Sequence, residues 1–259
     1  MNLNAEVGIA RCTVYYPKRV VLFPEHSRPA GTEPVTLHNV GGRGGVAVYW
    51  ADVEALMKAR IEATMVVEVG GVGLGTFNYD PATQRWTWNK APFGLGSRGN
   101  PLVPGMIAAA DRAVYPFGSR VTLVKGVGVV TVGSVSQGIA QAARVVYVGD
   151  TGGAIKGELR FDLFQESAAD RSWHGEWWCC VERPKVEMNS VRDVQSGLQW
   201  LGLLIGSPTD GIVGPRTVAA ITEFQRRAGP GRIPSLEIGE VSGAVTRYWL
   251  ADAVDAARR

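Results

Sequence analysis

Asp150-Thr151-Gly152-Gly153-Ala154-Ile155-Lys156-Gly157 runs directly into Glu158-Leu159-Arg160-Phe161-Asp162-Leu163-Phe164. A carboxylate meets a glycine pair, which permits positive φ and close approach of the backbone. The strand that follows carries a second carboxylate. Leu159, Phe161 and Leu163 alternate with Arg160 and Asp162, so the period of two sends Asp162 away from the apolar side. Two carboxylates from one turn-and-strand unit can converge on a cleft, where a raised pKa suits one of them to general acid work. The plainer alternative is a turn-capping Asp150 and a solvated Asp162. On the residues alone both stand open.

The surrounding sequence, from the start to about residue 165, is strand-like. ARCTVYYP, ATMVVEV, RVTLV, VGVVTVG, ARVVYVGD and LRFDLF are short β-branched or aromatic runs punctuated by Gly, Pro, Asn or Asp. FNYDPATQRWTWN predicts a hairpin, with Asp80-Pro81 opening its turn and Trp86 and Trp88 on one face. WADVEALMKARIEA predicts one helix, with Val53, Leu56, Met57 and Ile61 on a common face. The Pro-, Gly- and charge-rich stretch from Phe23 to Gly45 reads as a long surface loop or insertion. Gly71-Val72-Gly73-Leu74-Gly75 lacks the strand-turn-helix context of a nucleotide loop and reads as a structural turn. Many short strands with frequent turns favour a barrel or sandwich.

After SWHGEWWCCVERPKVEMNS the pattern becomes helical. Val191, Val194, Leu198 and Leu201 form one stripe, and Val218, Ile221 and Phe224 a second, which Gly229-Pro230-Gly231 stops. A last helix near Ser242 to Ala257 carries Val245, Tyr248, Trp249 and Val254. The expected organisation is therefore a β-barrel domain over residues 1–182 with an inserted region around 23–76. A linker within Glu182 to Ser190 leads to a small three-helix domain over 190–259.

Composition narrows the classes. The 259 residues, 46% hydrophobic and 20% charged, exclude a disordered chain. A net charge of +3 gives no electrostatic case for nucleic acid, and no apolar run is long enough for a membrane span. Cys12, Cys179 and Cys180 lack the spacing of a zinc site or a disulfide framework and read as small reduced thiols. No cofactor or metal is called for.

The DTGGAIKG stretch followed by an aspartate resembles the signature of the three-aspartate (3D) domain, a double-psi β-barrel shared with membrane-bound lytic transglycosylase A. That family's preceding block, an aspartate and then Pro-x-Gly-[Ser/Thr]-x-Val, is matched by Asp111 and Pro116-Phe117-Gly118-Ser119-Arg120-Val121. Arg112 stands where the family usually has proline. GLGSRGNPLVPG (Gly94 to Gly105) resembles the glycine-rich approach to the block, and CTVYYP the first strand. The resemblance covers about Pro92 to Phe164. It implies a mainly β plus α protein, with a double-psi barrel as the catalytic domain. VRDVQSGLQWLGLLIGSPTDGIVGPRTVAAITEFQRRAG (Val191 to Gly229) is similar to the peptidoglycan-binding type 1 domain in Gln195, Leu198, Leu201-Gly202, Asp210-Gly211, Gly214-Pro215, Thr217 and Phe224-Gln225. Gln195, Asp210 and Thr217 are expected to fix helix ends and the turn rather than touch ligand.

These resemblances imply lytic transglycosylation of the MurNAc-β-1,4-GlcNAc bond, with peptidoglycan glycan strands as partner. Asp162 is the implied catalytic acid and Asp150 its hydrogen-bonded partner. Thr151, Gly152, Gly153, Thr13 and Tyr15 are the implied cleft and substrate residues, Asp111 either holds the barrel turn or lines the cleft, and Lys156 either binds a substrate carbonyl or is a surface lysine. Glu176 is a reserve acid, and the aromatics from Trp173 to Trp178 read chiefly as linker packing. A monomer is expected unless the chain is part of a virion. MNLNAEVGIAR lacks the basic-then-apolar pattern of a secretory signal. The matching expectation is a phage lysin, made in host cytoplasm and released to the periplasm and wall, or carried in a virion, with a bacterial enzyme exported by an unrecognised route as the alternative. Two other readings remain at this level: an expansin-like or phage tail protein that binds wall without cutting it, and a homodimeric aspartic protease built on Asp150-Thr151-Gly152.

Overall fold

The computed structural model describes residues 5–132, 135–167, 169–229 and 231–259. Gly133, at the end of VGVVTVG, and Pro230, in the stop after the second C-terminal helix, lie outside the described residues. In chain order, β1 (Ala5–Tyr15) is followed by β2 (Lys18–Phe23), β3 (Thr32–His38), β4 (Val46–Asp52), α1 (Val53–Glu62), β5 (Thr64–Val69), β6 (Val72–Asp80) and β7 (Arg85–Asn89). Then come β8 (Ile107–Ala109), β9 (Arg120–Val132), β10 (Val135–Asp150), β11 (Arg160–Phe164) and β12 (Gly175–Glu182), and α2 (Val191–Trp200), α3 (Pro215–Ala228) and α4 (Ala244–Ala257) close the chain. The chain divides into two compact units, Tyr16–Leu95 and the remainder. Mainly β with a barrel and a small C-terminal set of three helices is the expected class, and it is the one observed.

In the larger unit six strands close in the order β1-β11-β8-β10-β9-β12. The β1–β11 and β8–β10 pairs are parallel and the others antiparallel. Alternate residues fill the interior: Ala10 and Cys12 from β1, Phe161 and Leu163 from β11, Cys179 and Val181 from β12. Small side chains such as Ala108 and Ala110 leave room for Phe161 and for Tyr115, whose rings lie 5.3 Å apart. All three cysteines are free thiols. Burial is the first cause that pushes Cys12 up to about 12, with the charges of Cys179 and Asp162 adding to it.

The Tyr16–Leu95 unit is a second closed barrel, in the order β2-β4-β3-β7-β6-β5. The sequence reading missed it. The stretch expected as a loop over 23–45 contains β3, whose Pro34 and charged Glu33 disguised a strand that buries Val35 and Leu37. The hairpin was placed correctly: β6 and β7 pair antiparallel across a turn that begins after Asp80. The helix exists, but its buried face is Leu56 and Ala59. Val53, Met57 and Ile61 are exposed, because a ten-residue helix laid on a barrel covers only one narrow strip of it.

The C-terminal helices bury Val194, Leu198, Ile221, Phe224, Leu250 and Val254 around one core. Two glutamines latch their connections. Gln195 Nε2 donates to Asp210 Oδ1 (3.0 Å), Ile212 O (3.0 Å) and Thr217 Oγ1 (3.3 Å), while its Oε1 accepts from Gly211 N–H (2.8 Å). Gln225 repeats the device one helix later, donating to Glu237 O (2.7 Å) and Thr246 Oγ1 (3.0 Å) and accepting from Gly239 N–H (2.8 Å). The structural role expected of Gln195, Asp210 and Thr217 is the one their geometry has.

Candidate active site

Strand register brings the two motif carboxylates onto one line. Asp162 on β11 lies opposite Ala109 on β8, and Asp150 at the end of β10 lies opposite the same alanine from the other side. Thr13 on β1 is in register with Asp162. Directly opposed residues share a face of a sheet, so Thr13, Asp162, Ala109 and Asp150 form a row across four adjacent strands. Two strand spacings put about 9–10 Å between the Cα atoms of the two aspartates. The row lies on the outer face, since the neighbours Cys12, Phe161, Leu163 and Ala108 all point into the core. Asp162 thus points away from the apolar side, as the alternation predicted.

Asp150 reaches that face through an irregularity. Val148 is opposite Ala108 and faces the core, and strict alternation would turn Asp150 inward as well. The register slips by one residue between them, at Gly149, and the bulge re-aims Asp150 outward. Gly149 is also tightly enclosed: a Cβ there would lie 3.1 Å from two Ile107 carbons and 3.0 Å from Ala244 Cβ.

The Asp150 carboxylate accepts three hydrogen bonds. Tyr15 Oη donates to Oδ2 at 2.9 Å, and the backbone N–H groups of Ser97 and Thr151 each donate to Oδ1 at 2.8 Å. Burial raises its pKa from the ordinary aspartate value, and these donors oppose the rise. The ring of Tyr15 is steadied by Phe164, with centroids 5.1 Å apart.

Asp111 does a different job. Its Oδ1 accepts from Ala113 N–H and its Oδ2 from Gly157 N–H, both at 3.0 Å, so it ties the 111–115 turn to the loop that precedes β11. Those backbone donors, with the charges of Lys156 and Arg112 behind them, hold its carboxyl below the usual range. Gly152 is required by packing, since a Cβ would lie 2.8 Å from Ile155 Cγ1, whereas Gly153 faces open space. Lys156 and Glu176 are both exposed. Trp173 and Trp177 stack edge-on at 5.9 Å, and Trp177 Nε1 donates to Trp173 O, while Trp178 is half exposed.

Several participants escaped the sequence reading. Tyr115 is fully buried; its hydroxyl accepts from Leu159 N–H (2.9 Å) and donates to Glu6 Oε1 (3.2 Å). Leu159 has φ +52°, a conformation strained for leucine, and it sets the start of the strand that carries Asp162. Beside Asp150 a cleft of about 270 Å³ is lined by Arg98, Arg112, Tyr115, Thr151, Glu187 and Asn189, among others. Arg112, at the family's proline position, is exposed on its wall.

Residues 106–177 match the family model of the 3D domain. The match spans β8 to β11 and the first residues of β12. Residues 187–231 match the model of the putative peptidoglycan binding domain, which includes the linker from Glu187 and stops short of α4. The row of Asp162, Ala109 and Asp150 falls wholly inside the residues matched by the 3D model, and Asp111 with it. No curated protein is significantly similar to the chain. Among solved structures, E. coli MltA with bound chitohexaose is 14% identical with a TM-score of 0.45, covering 69% of this chain and 75% of its own. The membrane-bound lytic murein transglycosylase from Agrobacterium tumefaciens is 15% identical with a TM-score of 0.41, covering 68% and 74%. The lytic transglycosylase LtgG of Burkholderia pseudomallei is 16% identical with a TM-score of 0.37, covering 68% and 71%.

Proposed function

We propose that this chain is a peptidoglycan lytic transglycosylase, which cleaves the MurNAc-β-1,4-GlcNAc bond with formation of a 1,6-anhydroMurNAc end. The observation that carries the reading is the outward row of Asp162 and Asp150 in a 3D domain, followed in the same chain by a putative peptidoglycan binding domain.

The chemistry suits one acid. A hydrolytic glycosidase needs two carboxyl groups because water must be activated or a covalent intermediate formed. Here the C6 hydroxyl of the cleaved sugar is the nucleophile, held at high effective molarity by its own ring. Asp162 donates its proton to the leaving glycosidic oxygen as the C1–O bond breaks. It then accepts the C6 hydroxyl proton as the new C1–O6 bond closes, which restores the acid. Asp150, ionised and held by its three donors, supplies the negative charge that favours the protonated form of Asp162. The glycan binder keeps the barrel among its bonds and adds no chemistry.

Digestion of purified sacculi tests this. Wild-type protein is expected to release anhydro-muropeptides, and Asp162→Asn to remain folded and release none. Products with reducing ends would make the protein a hydrolase. Binding without released sugar would leave a wall-binding protein of the expansin kind, and near-wild-type turnover of Asp162→Asn would remove Asp162 from the mechanism.

A further inference from the structure

Asp150 is anchored by a turn that lies between the barrel and the C-terminal helices. Ser97, whose N–H donates to Asp150 Oδ1, lies in the Gly96–Asn100 turn, closed by Gly96 N–H to Asn100 O (2.8 Å) and Gly99 N–H to Gly96 O (2.9 Å). The side chain of Asn100 is fully buried in this turn, and neither its Oδ1 nor its Nδ2 has a hydrogen-bond partner among the described residues. An unpaired buried amide works against the conformation that buries it. The turn is also held from outside.

The C-terminal helices and the segment leading to them supply that hold at several points. Ser242 Oγ, just before α4, donates to Gly99 O at 3.0 Å. Arg98 Nη1 donates to Asn189 O in the linker, and its guanidinium lies 5.4 Å from the centroid of the Phe117 ring. Arg247 of α4, only 3% exposed, also lies against that ring, at 5.3 Å, and donates to Met188 O (2.8 Å) and Val241 O (3.2 Å). It thereby fixes both the linker and the segment that carries Ser242. Ala244 at the head of α4 fills the space against Gly149, the bulge that turns Asp150 outward. Glu187 and Asn189 line the same cleft as Asp150.

We infer that the helical module is a working part of the Asp150 site as well as a tether: through Ser242 and Arg98 it holds the Gly96–Asn100 turn, and so places the Ser97 N–H on Asp150. Both are positioning residues. The inference rests on the transglycosylase reading for its effect on turnover, but its structural content does not.

The discriminating variants are Ser242→Ala, Arg98→Ala and their combination, with Ser242→Thr as the conservative control that keeps a hydroxyl. Two readouts separate the cases. On short soluble glycan strands, where retention on the wall cannot matter, the double variant is expected to lose about tenfold in kcat with KM little changed, while pelleting with sacculi stays at the wild-type level and Ser242→Thr recovers most of the rate. Independently of any activity, the Ser97 amide resonance in wild type should follow the titration of the Asp150 carboxyl. In the double variant that response should be lost, and the carboxyl should titrate at higher pH. A double variant with unchanged Ser97 titration overturns the inference, and so does one with reduced sacculus binding but wild-type kcat on soluble strands. If the wild type releases no sugar yet the Ser97 response disappears in the variant, the transglycosylase reading fails and the positioning role stands.

Discussion

At the scale of the residue, the site depends on a few hydrogen bonds between distant parts of the chain. Tyr15 donates to Asp150 from 135 positions away. A donor to a carboxylate stabilises its ionised form, so Tyr15→Phe should raise the Asp150 pKa further above the ordinary aspartate value. Carbon-13 titration of the aspartate carboxyls measures this, and an unchanged or lowered value would show that the phenol does not act on the charge. Tyr115 satisfies the N–H of Leu159, which has positive φ. Tyr115→Phe leaves that donor unpaired in the interior and should cost about 1–3 kcal/mol in denaturant unfolding. The two carboxylates of the row were legible in sequence, because DTGGAIKG and the following aspartate form a local pattern. Tyr115 and Ser97 were not, because what matters is a hydroxyl or a backbone N–H whose partner lies far along the chain.

At the scale of the element, the β10 bulge and the glutamine latches are the devices to perturb. Gly149→Ala sets a methyl against Ile107 and Ala244, and overpacking of this kind costs about 1–3 kcal/mol. Because the same residue re-aims Asp150, its loss of lytic rate should exceed what its change in stability explains, as assayed on sacculi at a temperature where the variant is folded. In the helices, Gln195→Ala strands Gly211 N–H and Thr217 and should lower stability by about 1–3 kcal/mol. Gln225→Ala should behave alike, since its latch also joins a backbone carbonyl, a threonine hydroxyl and a glycine N–H. An indifferent Gln225→Ala would show that the second latch is not a true repeat of the first. The three C-terminal helices were legible because amphipathic stripes and glycine or proline stops are local signals. The bulge was not, since a one-residue slip exists only relative to a partner strand.

At the scale of the whole molecule, stability should depend on pH through the carboxylates. Asp80, Asp111, Asp170, Asp210, Glu223 and Asp255 have folded pKa values lowered by hydrogen bonds and, for most, by neighbouring cations, Glu223 to about 2. A depressed carboxylate contributes stability above its unfolded pKa and loses it as pH falls through the folded one. Asp150 and Glu237, raised by burial, act in the opposite sense. Each of the six loses its contribution as pH falls from about 5 towards 2, a window set by the unfolded carboxylate pKa values of about 4. Asp210→Asn should flatten the slope in a thermal series across that range, and an unchanged slope would remove Asp210 from the set.

The sequence by itself determined the 3D signature, the run of short strands, the linker after Glu182 and the three-helix end, all of which are written in neighbours a few residues apart. Only the tertiary structure decided that Tyr16–Leu95 closes as a barrel of its own, that Asp150 and Asp162 flank Ala109, and that Ser242 reaches Gly99 across 143 positions. The physical reason is that strand register and backbone donors carry no residue-type signature. A carbonyl or an N–H is the same in every residue, and which one it meets is settled when the strands pair.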